Sequence, residues 1–168
     1  MTTSVGPFVI DYLAAQCQAS PLLGGAAPPV AVFDGPHLSD DQLTAKQKLW
    51  IGFDLLNPGE PAMESEQQFA NLDQGRTRDE TGHVVCSAED SSGDTTMKAH
   101  RDAVQALMGT VELLMRGLPS TGGPGDITMG GLIFWSQITS ATWYQRQLSG
   151  GTAMACVFKI SYFARLTT

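Results

Sequence analysis

Apolar residues recur along this chain with two different periods, and the changes of period mark its elements. Val9, Tyr12, Leu13 and Cys17 fall three and four residues apart, the spacing of one helix face. They predict a helix over 7–19. Pro7 suits its first turn, where a missing N–H costs no hydrogen bond, and Ser20-Pro21 ends it. The Gly/Ala/Pro stretch 22–29 reads as loop, and 30–33 as a short strand closed by Asp34-Gly35-Pro36. Ser39-Asp40-Asp41 can cap one turn of helix. From 48 to 55 the pattern alternates: Leu49, Ile51 and Phe53 on one side, Trp50, Gly52 and Asp54 on the other. That is a half-buried strand, and Asn57-Pro58-Gly59 turns the chain.

Residues 60–80 are polar, with Phe69 and Leu72 as the main apolar anchors. They read as a strand arm that turns at Thr81-Gly82. Residues 83–88 return as a strand with Val84, Cys86 and Ala88 on one face. The strongest helical signal follows over 95–116. Val104, Leu107, Met108, Val111, Leu114 and Met115 keep helical steps, opposite Lys98, Arg101, Asp102, Gln105, Glu112 and Arg116. Asp94 is placed to cap this helix and Gly117 to stop it.

Two long strands, 127–147 and 152–166, are joined at Ser149-Gly150-Gly151. The second alternates throughout, with Met154, Cys156, Phe158, Ile160, Tyr162, Ala164 and Leu166 on one face. Its other face still holds Val157 and Phe163, so a partner subunit or another helix is expected to cover it. The pattern predicts an α+β fold: a mostly antiparallel sheet of four to five strands, with an N-terminal helix and one long amphipathic helix packed on it. A single domain is expected over 1–168, with 56–80 as an extended arm or insertion.

Composition sharpens this picture in two places. Charged residues make up 16%, below the usual share of about 25%, which hints at surface covered by neighbouring subunits. The net charge is −7 and no Lys/Arg run is present, which argues against binding through phosphate neutralisation. An acidic wall could still lie beside DNA and let it slide. The N-terminus lacks the pattern of a signal peptide, and no apolar run approaches the ~20 residues that span a bilayer, so a soluble protein is expected.

Candidate chemistry is sparse. Cys17, Cys86 and Cys156 fit no metal or redox spacing and read as small buried hydrophobes. His37, His83 and His100 have no His or Cys partner at ligand spacing; His83, beside the Thr81-Gly82 turn, and His100, on the polar flank of the long helix, read as solvated. There is no Gly-x-Ser-x-Gly elbow. Gly122-Gly123-Pro124-Gly125 lacks the Lys and Ser/Thr of a phosphate loop. The paired carboxylates Asp40-Asp41 and Asp79-Glu80 read as solvated loop pairs. No catalytic residue, cofactor or metal site is therefore expected. Arg76, Arg78, Asp79 and Glu80 could instead pair with the next copy of the chain and fix its register. Trp50, Val157 and Phe163 complete the candidate subunit interface. Trp135, Trp143 and Tyr144 are further aromatic candidates for an interface, although core packing is the favoured reading for each, and Trp135 and Trp143 would share a face if 132–144 formed one unbroken strand.

The order of these motifs resembles a known family. An N-terminal helix precedes Pro29-Val-Ala-Val-Phe33-Asp34-Gly35-Pro36. Leu49-Trp-Ile-Gly52-Phe53-Asp54, then Arg78-Asp79-Glu80 before Val84-Val85-Cys86, follow in order. The capped Gly93-Asp94-Thr-Thr-Met-Lys98 helix and a hairpin ending Phe158-Lys-Ile-Ser-Tyr-Phe-Ala-Arg165 close the chain. This is similar to the small tail-terminator and neck proteins of long-tailed phages that infect actinobacteria. The resemblance implies a homo-oligomeric ring, usually of six copies, that caps the tail tube and ends its polymerisation. The implied partners are the tail tube protein and the head–tail connector protein, with DNA passing through the lumen without specific binding. No membrane is involved, and the place is the virion neck, assembled in the host cytoplasm. A connector or tail-tube subunit is the nearest other reading. A small-molecule-binding or catalytic α+β domain is a further one.

Overall fold

The computed structural model describes residues 3–26, 29–36, 45–69, 77–91, 96–118, 123–124, 127–148 and 151–167. Its elements are α1 (Gly6–Ala19), β1 (Ala31–Asp34), β2 (Gln47–Ile51), β3 (Met63–Phe69), β4 (Thr77–Asp90), α2 (Met97–Arg116), the two-residue strands β5 (Gly117–Leu118) and β6 (Gly123–Pro124), β7 (Trp135–Leu148) and β8 (Gly151–Thr167). The fold is α+β: α1 and α2 pack on a six-stranded, mostly antiparallel open sheet. β5 and β6 form a separate two-stranded ribbon.

β4 organises the sheet. One of its edges pairs with β8 along its whole length, from Thr77 opposite Thr167 to Asp90 opposite Met154. Its other edge is shared end to end, with β2 against Cys86–Asp90 and β3 against Arg78–Val84. β1 lies outside β2 in parallel, and β7 lies outside β8. Among the described residues the sheet has six strands where four to five were expected: the stretch read as one arm turning at Thr81-Gly82 holds β3 and the first half of the continuous β4.

The helices cover one face. Val84, Cys86 and Ala88 of β4 and the alternate set Met154 to Leu166 of β8 meet Val9, Leu13 and Cys17 of α1 and Val104, Leu107, Val111 and Met115 of α2. Burial of each large aliphatic or aromatic side chain contributes roughly 1.5–3 kcal/mol. All three cysteines are buried and free.

Several sequence expectations need correction. Thr81-Gly82 is not a turn, since β4 runs straight through it. Gly82 lies directly across from Tyr162, whose ring covers it. A Cβ there would stand 2.5 Å from the tyrosine hydroxyl and 2.7 Å from the Glu64 carbonyl oxygen. The glycine supplies room for an aromatic ring, and His83 sits within the strand. Residues 127–134 are turns, and the strand starts at Trp135. Met129, Gly130 and Gly131 adopt positive φ there, which no strand accommodates. Trp135 and Trp143 do not share a face. A β-bulge between Ile138 and Ser140 shifts the register, so Trp135 pairs with Phe163 and Trp143 with Cys156, on opposite faces.

His100 is fully buried, its Nδ1 paired with the Asp90 carboxylate at the end of β4. It stands one turn before Val104 and so belongs to the apolar stripe of α2. The proposed caps at Ser39-Asp40-Asp41 and Asp94, the Gly-rich run at 122 and 125, His37, Arg76 and the turn residues 149–150 lie outside the described residues.

Candidate functional site

The helix-free face of the sheet divides into a covered half and an open half. Chain segment 52–62 folds over the covered half. There the Phe53 N–H donates to the Val85 carbonyl (3.0 Å) and the Val85 N–H to the Ala62 carbonyl (3.0 Å). The Leu55 N–H donates to Ser87 Oγ (3.0 Å), which donates to the Phe53 carbonyl (2.8 Å). Trp50, paired across the sheet with Ser87, is buried and stacks on Phe33 at 5.4 Å. Beside it Lys48 Nζ lies 3.2 Å from Glu89 Oε1. Trp50 therefore does its packing inside the chain.

Glu80 is also internal. Its carboxylate has no solvent exposure and accepts four hydrogen bonds: from Ser4 Oγ (2.7 Å), the Val5 N–H (3.3 Å), Gln67 Nε2 (2.9 Å) and Tyr162 Oη (2.9 Å). The donors come from the start of α1, from β3 and from β8. A carboxylate at the first turn of a helix also meets the positive end of its dipole. Burial, and then the neighbouring Glu80, push the Tyr162 hydroxyl well above the ordinary tyrosine range. The Asp79-Glu80 pair thus splits, because adjacent strand residues face opposite ways.

Asp79 faces the open half. Arg165 grips it through Nε (2.6 Å) and Nη2 (3.0 Å), and this hydrogen bonding holds the Asp79 carboxyl below the ordinary carboxylate range. The same guanidinium lies 5.9 Å from the centre of the Phe134 ring. Phe134 stacks on Phe163 at 5.6 Å and is 54% exposed. Phe163 pairs across the sheet with Trp135, and both are half-buried. Further along, Val157 is half-buried and Tyr144 exposed. Together these residues form an aromatic strip with a charged end.

The structure thus brings Asp79, Val157 and Phe163 to the open face, with Val157 at the other end of the strip from Asp79 and Phe163. It places Arg78 on the helix side, donating to Gln67 Oε1 at 3.0 Å. It withdraws Trp50 and Glu80 into the chain. Sequence reasoning missed Phe134 and Arg165, whereas Tyr144 was among its aromatic candidates and is exposed. Phe134 sits just before β7, where no strand alternation points to it, but Arg165 was legible as the open-face neighbour of Phe163 along β8.

On the helix side, Arg101, Gln105, Trp143, Gln145 and Met154 line a shallow groove of about 380 Å³ between α2 and β7. Among the described residues no group of three His, Cys, Asp or Glu side chains converges to hold a metal. Burial pushes the thiols of Cys17 and Cys156 up to about 12 and about 11, and raises Cys86 as well. Thiols held protonated in this way are poor nucleophiles. No protein-family model matches the chain, and no curated protein matches it.

Proposed function

We propose that this chain is a non-enzymatic structural protein of a phage particle that acts as a ring of identical copies. In this reading the ring caps the tail tube, ends its polymerisation and presents a surface to the head–tail connector protein. The observation that carries it is the strip of Phe134, Trp135 and Phe163 with its Asp79–Arg165 end, left open on a sheet face that a stable lone chain would be expected to cover. Contiguous exposed aromatic surface with a polar rim is what protein–protein contacts use. The motif order from the first helix to the closing hairpin supplies the particular assignment. The physical mechanism is occlusion, since a ring seated on the tube end leaves no site for a further subunit.

The test is the mass of the purified protein by light scattering behind a sizing column, with negative-stain imaging of the same fraction. Closed rings, or chains that close into rings on added tail tubes, are the expected result. Long tubes would assign a tube subunit instead. A monomer that ignores tail tubes would overturn the reading and turn attention to the Arg101–Trp143 groove as a small-molecule site.

A further inference from the structure

The two outer edges of the sheet are complementary to each other. We propose that β7 of one copy adds to β3 of the next, antiparallel, with Trp143 opposite Phe69 and Arg146 opposite Glu66. This rests on the ring reading and names the strands that would close the ring.

Both strands present a bare edge among the described residues, for β7 pairs only with β8 and β3 only with β4. From Ala141 to Gln145 every residue of β7 is exposed, on both faces of the sheet. In β3 every residue from Glu64 to Phe69 is exposed. Between Trp135 and Gln145 β7 carries no charge and no proline. A long uncharged edge strand is a template for another strand unless something blocks it.

The directions agree. Strands β3, β4, β8 and β7 alternate in direction, so β3 and β7 run oppositely. Copies related by rotation about an axis along the strands keep those directions, and β7 then meets the neighbour's β3 antiparallel.

The peptide groups agree as well. The Val85 N–H donates to Ala62, so open-face residues of β4 aim their peptide groups at β3. The alternation of an antiparallel sheet then sends the peptide groups of Ser65, Gln67 and Phe69 outward from β3. Carried across β8, it sends those of Trp143, Gln145 and Gln147 outward from β7. Both sets belong to the helix-side face, so free donors and acceptors stand opposite one another without a twist of either strand.

Charge and shape fix the register. Glu64 and Glu66 are the charges of β3 and lie on its open face. Arg146 is the charge of β7, on the same face, 4.0 Å from Glu89 at the limit of an ion pair. Setting Arg146 against Glu66 brings Phe69, 68% exposed, opposite Trp143, 39% exposed, on the other face. Aromatic pairs of this kind stabilise sheets. Gln145 then faces Gln67, and Tyr144 faces Gln68. A two-fold β7–β7 pairing offers Arg146 no acid, because β7 contains none.

Disulfide trapping tests the register in the full chain. Tyr144→Cys and Gln68→Cys would stand in a pair without mutual backbone bonds, where Cβ atoms approach closely enough to bridge. Both sites are exposed, and the three natural thiols are buried. A chain carrying both substitutions should give a ladder of covalent oligomers on a non-reducing gel, and Tyr144→Cys alone should give none. Glu66→Arg should weaken self-association about fivefold, and adding Arg146→Glu should restore it. A dimer from Tyr144→Cys alone would replace the proposal with β7–β7 pairing. Rings in negative stain without a ladder would overturn the edge contact while leaving the ring, and a monomer without a ladder would remove both. Failure of the charge swap to restore association would also overturn it.

Discussion

Glu80 shows how much one carboxylate can hold together when its donors come from three separate parts of the chain. The Glu80→Ala chain would take the shared acceptor from Tyr162 Oη, Ser4 Oγ and the Val5 N–H, while Gln67 Nε2 would keep the Thr3 carbonyl. A buried group stripped of its partner costs about 1–3 kcal/mol, and several share this one. We therefore expect Glu80→Ala to lower stability by about 3 kcal/mol, read as a shift in the urea midpoint. An unchanged midpoint would show that α1 is held by packing alone. Its neighbour Asp79 behaves differently with pH. Its folded pKa lies below the ordinary carboxylate value of 3.8 because Arg165 stabilises the charged form. As pH falls the unfolded chain takes up this proton first. The contribution of the pair is thus present at neutral pH and lost as pH drops through and below the ordinary carboxylate range. Asp79→Asn should give a shallower loss of stability between about pH 5 and pH 2, measured as Tm against pH, and parallel acid limbs for the two chains would refute it. In the sequence Asp79 and Glu80 are two adjacent charges. Their different fates follow from strand alternation, which was readable, and from the burial of β4, which requires knowing that β3, β8 and α1 all meet there.

Among the elements, the helices were the most legible. The stripe Val9, Leu13, Cys17 became the buried face of α1, and Val104, Leu107, Val111, Met115 that of α2. His100 continues the latter stripe at the same spacing, and its polarity concealed a buried role that the period already contained. β4 was the element least legible. Its glycine resembles a turn signal, and only the partner strand reveals that Tyr162 occupies the space a side chain would need. The bulge in β7 was equally hidden, since an extra residue in a strand leaves no mark in its composition. Gly82→Ala should therefore destabilise by about 1–3 kcal/mol, the usual cost of forcing an extra methyl into a packed site. Thermal unfolding measures this, and the accompanying loss of Tyr162 order would appear in the near-ultraviolet circular dichroism. An alanine chain as stable as the parent would mean that the tyrosine ring moves aside freely.

At the scale of the molecule, the sheet has one face under helices and the other half under segment 52–62, leaving the Phe134–Phe163 strip uncovered. The sequence pointed to this through Val157 and Phe163 on the wrong side of an alternating strand. It could not show that Trp50 is buried within the chain against Phe33, because the alternation of one strand does not tell which strand will lie beside it. Phe134→Asp should lower folding stability by about 1 kcal/mol, the worth of its stack on Phe163, and should reduce the ring fraction seen by light scattering at a temperature where both chains are folded. Equal ring fractions for both chains would remove the strip from the interface. The pairing of β4 with β8 has a different kind of consequence. These central strands are distant in sequence, with α2 and β7 between them. A nascent chain synthesised as far as Leu148 would hold β4 with one side bare and the apolar stripe of α2 with no complete sheet beneath it. Such contacts form slowly, since the loop entropy is spent before any pairing repays it. The core can therefore close only once β8 has emerged to pair with β4 and to give β7 its partner, and until then the polypeptide is at its most vulnerable to sticking to its own kind.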